Sequence, residues 1–386
     1  MLNKGLKYKH LYTCFVDFRK AFDTVWHIGL IYKLRNSGVS DLFYNVIKYM
    51  YENTLLSVKV NNTYLTDNFQ SFVGVRQGDN LSPTLFKLFI NDTPNIFDDS
   101  CSPLSLLTRK LHCLLYADDL VLLLQGLQNS LTKLSHYCDE WGLQINISKT
   151  KSLVFNNIGR TTSHKFYINN TPIENCRNYV YLGVTFSISG SFTEAKNNLY
   201  HKGLKALFKV KKCFQGHSSK IKTILHIFDY TIKPILLYGS EIWGSFSAQK
   251  LLTQGDNYFS NVCRDLIMEK AHFKLCKYSI KVGKKATNSA VMGELGRYPL
   301  FLEVLLNMIK YWVRLSKINT SSTLLSECLL LSEALHKQNK KSWYASIDTI
   351  LKYLNVSAKL ILTTKRNIKS YFYSKLRPKY NAVWKT

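Results

Sequence analysis

Residues 114–124 read LLYADDLVLLL, a leucine-rich run with two adjacent aspartates, Asp118 and Asp119, at its centre. A carboxylate taken out of water without a partner costs several kcal/mol, and two neighbours also repel each other. The run therefore reads as a hairpin. Its apolar arms sit in a sheet, and Ala117–Asp118–Asp119 forms a tight turn at the sheet edge, where the carboxylates stay hydrated. A divalent cation would offset their repulsion. Mg²⁺ prefers one or two protein carboxylates, with waters and substrate phosphates completing its shell. A third carboxylate from another strand end would complete a two-ion site, the ions about 3.5–4 Å apart. Asp17, closing the apparent strand LYTCFVD (11–17), is the best candidate. Such a site would activate an attacking hydroxyl and steady a pyrophosphate leaving group, mostly by positioning and charge neutralisation. The second acidic pair, Asp98–Asp99 in FDDS, reads as a plain turn.

Composition narrows the partners. The 386 residues leave room for two or three domains. Lys and Arg number 52 against 25 Asp and Glu, a net charge of +27 that points to a polyanion, most often nucleic acid. The nine cysteines form no C-x-x-C or Cys/His cluster, which argues against a zinc module. Their odd number fits reduced thiols better than a disulfide framework. The opening MLNKGLKYKHLYTCF has no signal-peptide core, and no run approaches the roughly 18–20 apolar residues of a membrane span. The expected location is intracellular, nuclear and/or cytoplasmic, neither secreted nor in a membrane.

Working outward, Asp23 or Thr24 is expected to cap a helix carrying Val25, Ile28, Ile31 and Leu34 on one side, with Gly38 ending it. A second helix is expected over about 41–51, and a hairpin around Asn61–Asn62 within 54–73. A helix near Pro83, another over about 127–141, and a strand after the loop WGLQINISKTK complete the series. This order implies an α+β domain with an antiparallel sheet and helices on one face. Beyond residue 190 the pattern is mostly helical.

Five segments in this order carry a family resemblance: FVDFRKAFDTV (15–25), GVRQGDNLSPTLFKLFIND (74–92), YADD (116–119), GLQINISKTK (142–151) and YLGVTF (181–186). The series resembles the palm motifs of reverse transcriptases, most of all those of non-LTR (LINE-like) retrotransposons. IKPILLYGSEIWG (232–244) and ELGRYPL (294–300) are similar to segments following the polymerase domain in animal elements of this type. The resemblance implies a right-hand polymerase palm followed by a helical thumb and a helical C-terminal region. It implies RNA-directed DNA synthesis, with an RNA template, a DNA primer and dNTPs as partners and two Mg²⁺ ions as cofactors, Mn²⁺ being the substitute.

The implied roles fall on particular residues. Asp17 and Asp118 would be the main metal ligands, with Asp119 the third catalytic carboxylate. Phe22 would lie under the incoming sugar and exclude a 2′-hydroxyl. Gln77 would line the nucleotide pocket, Gly78 would let backbone approach closely, and Arg76 stands nearby. Lys149 or Lys151 would neutralise or protonate the leaving pyrophosphate, Lys149 being preferred. Tyr181, Leu182 and Gly183 fall in the primer-gripping segment. Asp23 is assigned to capping rather than to metal.

Two basic stretches lie beyond the palm. Lys202, Lys205, Lys209 and Lys212 form one helical stripe, with Leu204, Leu207, Phe208 and Phe214 expected opposite. The stripe suits template–primer phosphates. Residues 363–386 carry seven Lys or Arg, no acid, and interleaved aromatics. They suit either stacking on single-stranded nucleic acid or a terminal helix packed on the thumb.

Only 16 residues precede Asp17, and Lys4, Lys7 and Lys9 are too few to replace a fingers region. The expectation is a partial reading frame or truncated gene product. Its palm with partial fingers would occupy 1–187, a thumb-like segment 188–250 and a helical basic region 251–386. A non-catalytic RNA-binding remnant is the alternative.

Overall fold

The computed structural model describes residues 10–60, 64–156, 159–214, 220–318, 323–363 and 367–384. Lys4, Lys7, Lys9 and the Asn61–Asn62 turn lie outside the described residues. The chain divides into two compact units, one ending at Tyr179 and the next beginning at Val180.

The first unit is built on a six-stranded sheet: β1 (His10–Val16), β2 (Cys113–Tyr116), β3 (Asp119–Leu124), β4 (Lys151–Asn156), β5 (Phe166–Ile168) and β6 (Thr171–Asn175), in the order β5-β6-β4-β1-β3-β2. β1 is the spine, antiparallel to both β3 and β4. One pair, β4 with β6, is parallel. The alternation of side chains along a strand explains the two faces. Cys14, Val16, Leu120, Leu122, Leu124 and Val154 belong to the main core. The intervening Phe15, Val121, Leu123 and Leu153 are buried on the other face, where Phe15 stacks on Tyr179 at 4.2 Å.

Four helices contribute to that core: α1 (His27–Asn36), α2 (Asp41–Glu52), α3 (Ser82–Ile90) and α4 (Leu127–Trp141). α1 starts three residues later than a cap at Asp23 would place it, and two later than a cap at Thr24 would. Trp26 occupies the capping position, and His27 binds back to Phe72 through its amide and to the Gly74 carbonyl through Nε2. Its buried apolar side chains are Leu30 and Leu34, while Ile28 is exposed, so the apolar stripe is rotated from the expected one. Gly38 does follow the helix end, at φ +72°.

A buried lysine ties these helices together. Lys33 donates to the Phe89 carbonyl at 2.7 Å, to Asp92 at 2.8 Å and to the Tyr137 hydroxyl at 2.7 Å. Its ammonium also lies 3.6 Å from the Trp141 ring centroid. Burial lowers its pKa, and Asp92 opposes that shift. All of the ammonium's protons have partners, which is the condition under which a buried charge is tolerated.

The second unit is helical, with a short hairpin, β7 (Asn178–Tyr181) and β8 (Val184–Ser187), where the first unit hands over to it. Its principal helices are α5 (Thr193–Cys213), α6 (Leu251–Asp265), α7 (Ile267–Ser279), α8 (Leu300–Ser316), α9 (Trp343–Tyr353) and α10 (Ile368–Trp384). One hydrophobic core runs from Leu199 to Leu376 and includes Trp243 and Trp312. On α5, Leu204, Leu207 and Phe214 contribute to it, but Phe208 is exposed. In α10, Phe372 and Leu376 are fully buried. Burial of each stabilises the unit by about 1.5–3 kcal/mol, which takes Phe372 out of reach of any base. Of the two readings of the C-terminal stretch, the packed helix is the observed one.

Arg297, inside ELGRYPL, grips Asp229 with two 2.7 Å bonds. Asp229 belongs to a π-helical turn, Phe228–Ile232, and also meets Lys233 at 3.1 Å. Partial burial pushes the Asp229 carboxyl up, but Arg297 and Lys233 outweigh it and hold the group at about 2. A depressed carboxylate stabilises the fold above its unfolded pKa of about 3.9, and that contribution is lost as pH falls toward 2.

Two measurements check these anchors. Lys33→Ala should lower stability by about 1–3 kcal/mol in urea unfolding, since the buried Phe89 carbonyl and Tyr137 hydroxyl lose their donor. Arg297→Ala should weaken the helical unit by about 1–3 kcal/mol at neutral pH, Lys233 being left as the partner of Asp229. Its deficit should shrink between about pH 4 and 2, because the wild-type advantage disappears there.

Candidate active site

Strand register brings the first two motifs together. Val16 pairs with Leu120, so the next step along both strands sets Asp17 opposite Asp119. Tyr116 pairs with Asp119 across the hairpin, leaving Ala117 and Asp118 as the turn. Ala117 sits at φ +53°, where a non-glycine residue costs about 1–3 kcal/mol. The buried arms Leu120–Leu124 hold it there.

Asp17 is itself held by the fourth motif. Its amide donates to the Thr150 hydroxyl at 3.2 Å, and its carbonyl accepts from the Asn146 amide at 2.7 Å. Asn146 also accepts from the amides of Lys149 and Thr150, folding the segment into a tight turn. That turn points Lys149 toward Asp17, with Nζ 3.9 Å from Oδ2.

A cleft of about 350 Å³ opens here, lined by Asp17, Phe18, Arg19, Lys20, Ala21, Phe22, Asp23, Gln77, Asp118, Asn146 and Lys149. Phe22 packs on Phe86, ring centroids 4.8 Å apart, which fixes one wall. Gln77 forms another, its Nε2 donating to Asp23 Oδ1 at 2.7 Å. Asp23 is therefore not a helix cap; it holds Gln77. Gly78 follows at φ +84°, a conformation glycine adopts without strain.

Other candidates stand apart from the cleft lining. Arg76 is exposed and reaches the Thr54 hydroxyl at 3.4 Å. Lys151 opens β4 with its ammonium 2.6 Å from Glu174. Asp119 is exposed beside the cleft, yet its pKa is raised, first by desolvation, then by Asp118 and Asp17. Among the described residues no lysine or arginine pairs with Asp118 or Asp119. Asp98 and Asp99, by contrast, are each neutralised, by Lys133 at 2.6 Å and Lys110 at 2.7 Å.

The carboxylates offer the hard oxygen donors that a divalent cation requires. Among the described residues, however, no three His, Cys, Asp or Glu side chains converge into a ready-made cage. Two aspartates in one cleft fit an ion that takes its remaining oxygens from water and phosphate. Sequence reasoning passed over Arg19, Lys20, Asn146 and Thr150. The first two lie two and three residues after Asp17, and that closeness was the available signal.

In the second unit, Leu182 and Gly183 make the β7–β8 turn, both at positive φ (+47° and +79°). Tyr238, from YGSEIWG, donates to the Leu182 carbonyl at 2.9 Å, and a Cβ on Gly183 would come 3.2 Å from its ring. Tyr181 ends β7, half-buried. Lys202, Lys205, Lys209 and Lys212 are all exposed along α5.

Residues 3–186 match the family described as reverse transcriptase (RNA-dependent DNA polymerase). The sheet and its helices have the α+β form expected from the sequence. The similar curated proteins are polymerases of non-LTR elements. One from mobile element jockey of Drosophila funebris is 27% identical over 242 residues, 60% of this chain and 26% of that protein. Another, from a type-1 R2 element of Nasonia vitripennis, is 31% identical over 200 residues, 48% of this chain and 19% of that protein. The chain spans about a quarter of the length of the first relatives it matches. Among solved structures, a Candida tropicalis telomerase is 11% identical with a TM-score of 0.38, covering 76% of this chain and 50% of that one. Reverse transcriptases as a family use divalent metal ions, an RNA template and a primer. Among the described residues no helix is long and apolar enough to cross a membrane.

The shared electrostatics of the aspartates can be read directly. Asp118→Asn should move the titration of Asp119 downward, followed by carbon-13 NMR of the labelled carboxyl. An unmoved Asp119 would mean that the carboxylates do not sense each other.

Proposed function

We propose that this chain is the polymerase-bearing part of a non-LTR retrotransposon protein, which extends a DNA primer with deoxynucleotides along an RNA template. The supporting observation is the cleft itself, where side chains from three separated motifs and the turn that follows them meet around Asp17.

Asp17 and Asp118 would hold Mg²⁺, two ions in all with Mn²⁺ as substitute, and Asp119 would serve as the third carboxylate. Bound there, the ions would lower the pKa of the primer 3′-hydroxyl and neutralise the leaving group. Lys149, exposed beside Asp17, would meet the departing pyrophosphate. Arg19 and Lys20 add positive charge at the same wall, where a triphosphate has most need of it. Phe22, braced by Phe86, presents a flat apolar surface on which a deoxyribose rests and a 2′-hydroxyl would be left without a hydrogen-bond partner. Gln77 and Gly78, with Arg76 beside them, would border the nucleotide. Lys151 remains a second phosphate contact only if Glu174 releases it.

Residues 1–187 would then be palm with partial fingers, 188–250 a thumb-like segment, and 251–386 a helical basic region. Tyr181–Gly183 would support the primer end, and Lys202, Lys205, Lys209 and Lys212 the template–primer backbone. The cysteines are all free among the described residues, in keeping with a nuclear and/or cytoplasmic setting.

Primer extension on an RNA template with Mg²⁺ tests this reading. Wild type should extend, and Asp118→Asn should lose at least about 100-fold, the scale on which removing a preorganised charge acts. Equal silence of both proteins, with salt-sensitive and Mg²⁺-independent RNA binding, would favour the non-catalytic remnant instead.

A further inference from the structure

The helical unit carries a second concentration of lysine on a different side of α5 from the expected stripe. Lys270, Lys274 and Lys277 on α7, and Lys281 just beyond it, recur at intervals of four, three and four residues. Helical spacing puts Lys270, Lys274 and Lys277 on one face. The chain then turns at Lys281, in the left-handed region at φ +57°, and folds back. The Lys277 ammonium donates to the Lys284 carbonyl at 2.8 Å, pinning Lys284 and Lys285 beside the helix. A third segment joins them. Lys211 near the end of α5 lies with its ammonium 4.7 Å from the Tyr278 ring centroid. At 100° per residue Lys211 leaves α5 about 160° around from Lys209.

This gathering is costly for the free protein. Desolvation and then the charges of Lys274 and Lys284 lower the Lys211 pKa. Among the described residues none of Lys211, Lys270, Lys274, Lys281, Lys284 and Lys285 has an acidic partner. The nearest acids along α7 are already committed: Glu269 is fully buried, and Asp265 is paired with Arg264 at 3.0 Å. Folding thus drives like charges from three segments together without an internal counter-charge.

We propose that the face formed by α7, the 281–285 turn and the end of α5 is a second nucleic-acid surface, which takes the phosphate backbone of single-stranded RNA apart from the strand held by the α5 stripe. Phosphates at close spacing are the complement of such a face, and their release of counterions drives binding without regard to sequence. A membrane is the poorer fit. An interfacial helix needs a free apolar face, whereas Met268, Ala271 and Leu275 of α7 are buried in the core. Only Val282 is a large exposed apolar residue between 267 and 285. Tyr278 is half-buried under Lys211, so the face binds backbone and does not stack bases. The choice of RNA as the polyanion rests on the polymerase reading; the cationic face does not.

The test uses the full chain and labelled short polyuridylate, counted by native mass spectrometry and titrated across salt. Wild type should bind two strands. The triple variant Lys274→Gln, Lys281→Gln, Lys284→Gln should weaken one of them roughly 100-fold at about 0.1 M salt and flatten its logarithmic salt slope by about 2. The triple variant Lys202→Gln, Lys205→Gln, Lys209→Gln should weaken the other. In wild type, bound polyuridylate should shield Lys274, Lys281 and Lys284 from acetylation, a readout independent of how the variants fold. Unchanged stoichiometry and slope in the first variant, or its loss of binding only to phosphatidylserine vesicles, overturns the proposal. Failed primer extension with both strands still bound overturns the polymerase reading alone.

Discussion

The site depends on an antiparallel register. Because β1 and β3 pair Val16 with Leu120, the chain must set Asp17 against Asp119 at the end of the sheet, with Asp118 in the adjoining turn. Left alone these carboxylates would move apart. They stay because the strands behind them are buried: Cys14, Val16, Leu120, Leu122 and Leu124 are each no more than 3% exposed. The apolar arms thus supply the free energy that holds like charges together, and the strain at Ala117 draws on the same source. Among the described residues the one ion pair to these carboxylates is Lys149 with Asp17 at 3.9 Å, while Arg19 and Lys20 line the same cleft.

Residue type alone decides little in this molecule; surroundings decide more. Two Asp-Asp pairs occur within 21 residues of each other. One is capped by lysines and closes a turn; the other has none and borders the cleft. Lysine divides in the same way. Lys33 is buried with every proton engaged and joins helices, Lys149 is exposed at the cleft, and Lys151 two residues later is held by Glu174. The motif segments of the helical unit prove structural where the side chains can be followed. Arg297 of ELGRYPL grips a π-helical turn. Within YGSEIWG, Trp243 donates to the Tyr238 carbonyl at 2.9 Å, while the Tyr238 hydroxyl supports the Leu182–Gly183 turn.

Much of this was legible beforehand. A hairpin in the leucine run, helices beginning near residue 41, at Pro83 and near 127, and a strand after SKTK all follow from local pattern, and the structure has each of them, although the expected turn Ala117–Asp118–Asp119 is shorter by Asp119, which opens a strand. Where the reading missed, a distant partner was responsible. Asp23 had the form of a helix cap, but Gln77, 54 residues away, takes its carboxylate. Phe208 fitted an apolar stripe yet faces out, and the aromatics of α10 looked free until the core of the helical unit claimed Phe372. Asn146 and Thr150 carried no signal as single polar residues; their role exists only because Asp17 ends a strand beside them.

The amino-acid sequence by itself determined the order of elements, the excess of positive charge and the family resemblance, since periodicity, turn residues and motif spacing are properties of neighbouring positions. The tertiary structure alone decided that Gln77 takes the Asp23 carboxylate, that Asn146 and Thr150 hold Asp17, and which lysines crowd around Lys211. Those outcomes depend on strand register and helix packing between residues up to about 130 positions apart, and no local preference encodes a distance of that kind.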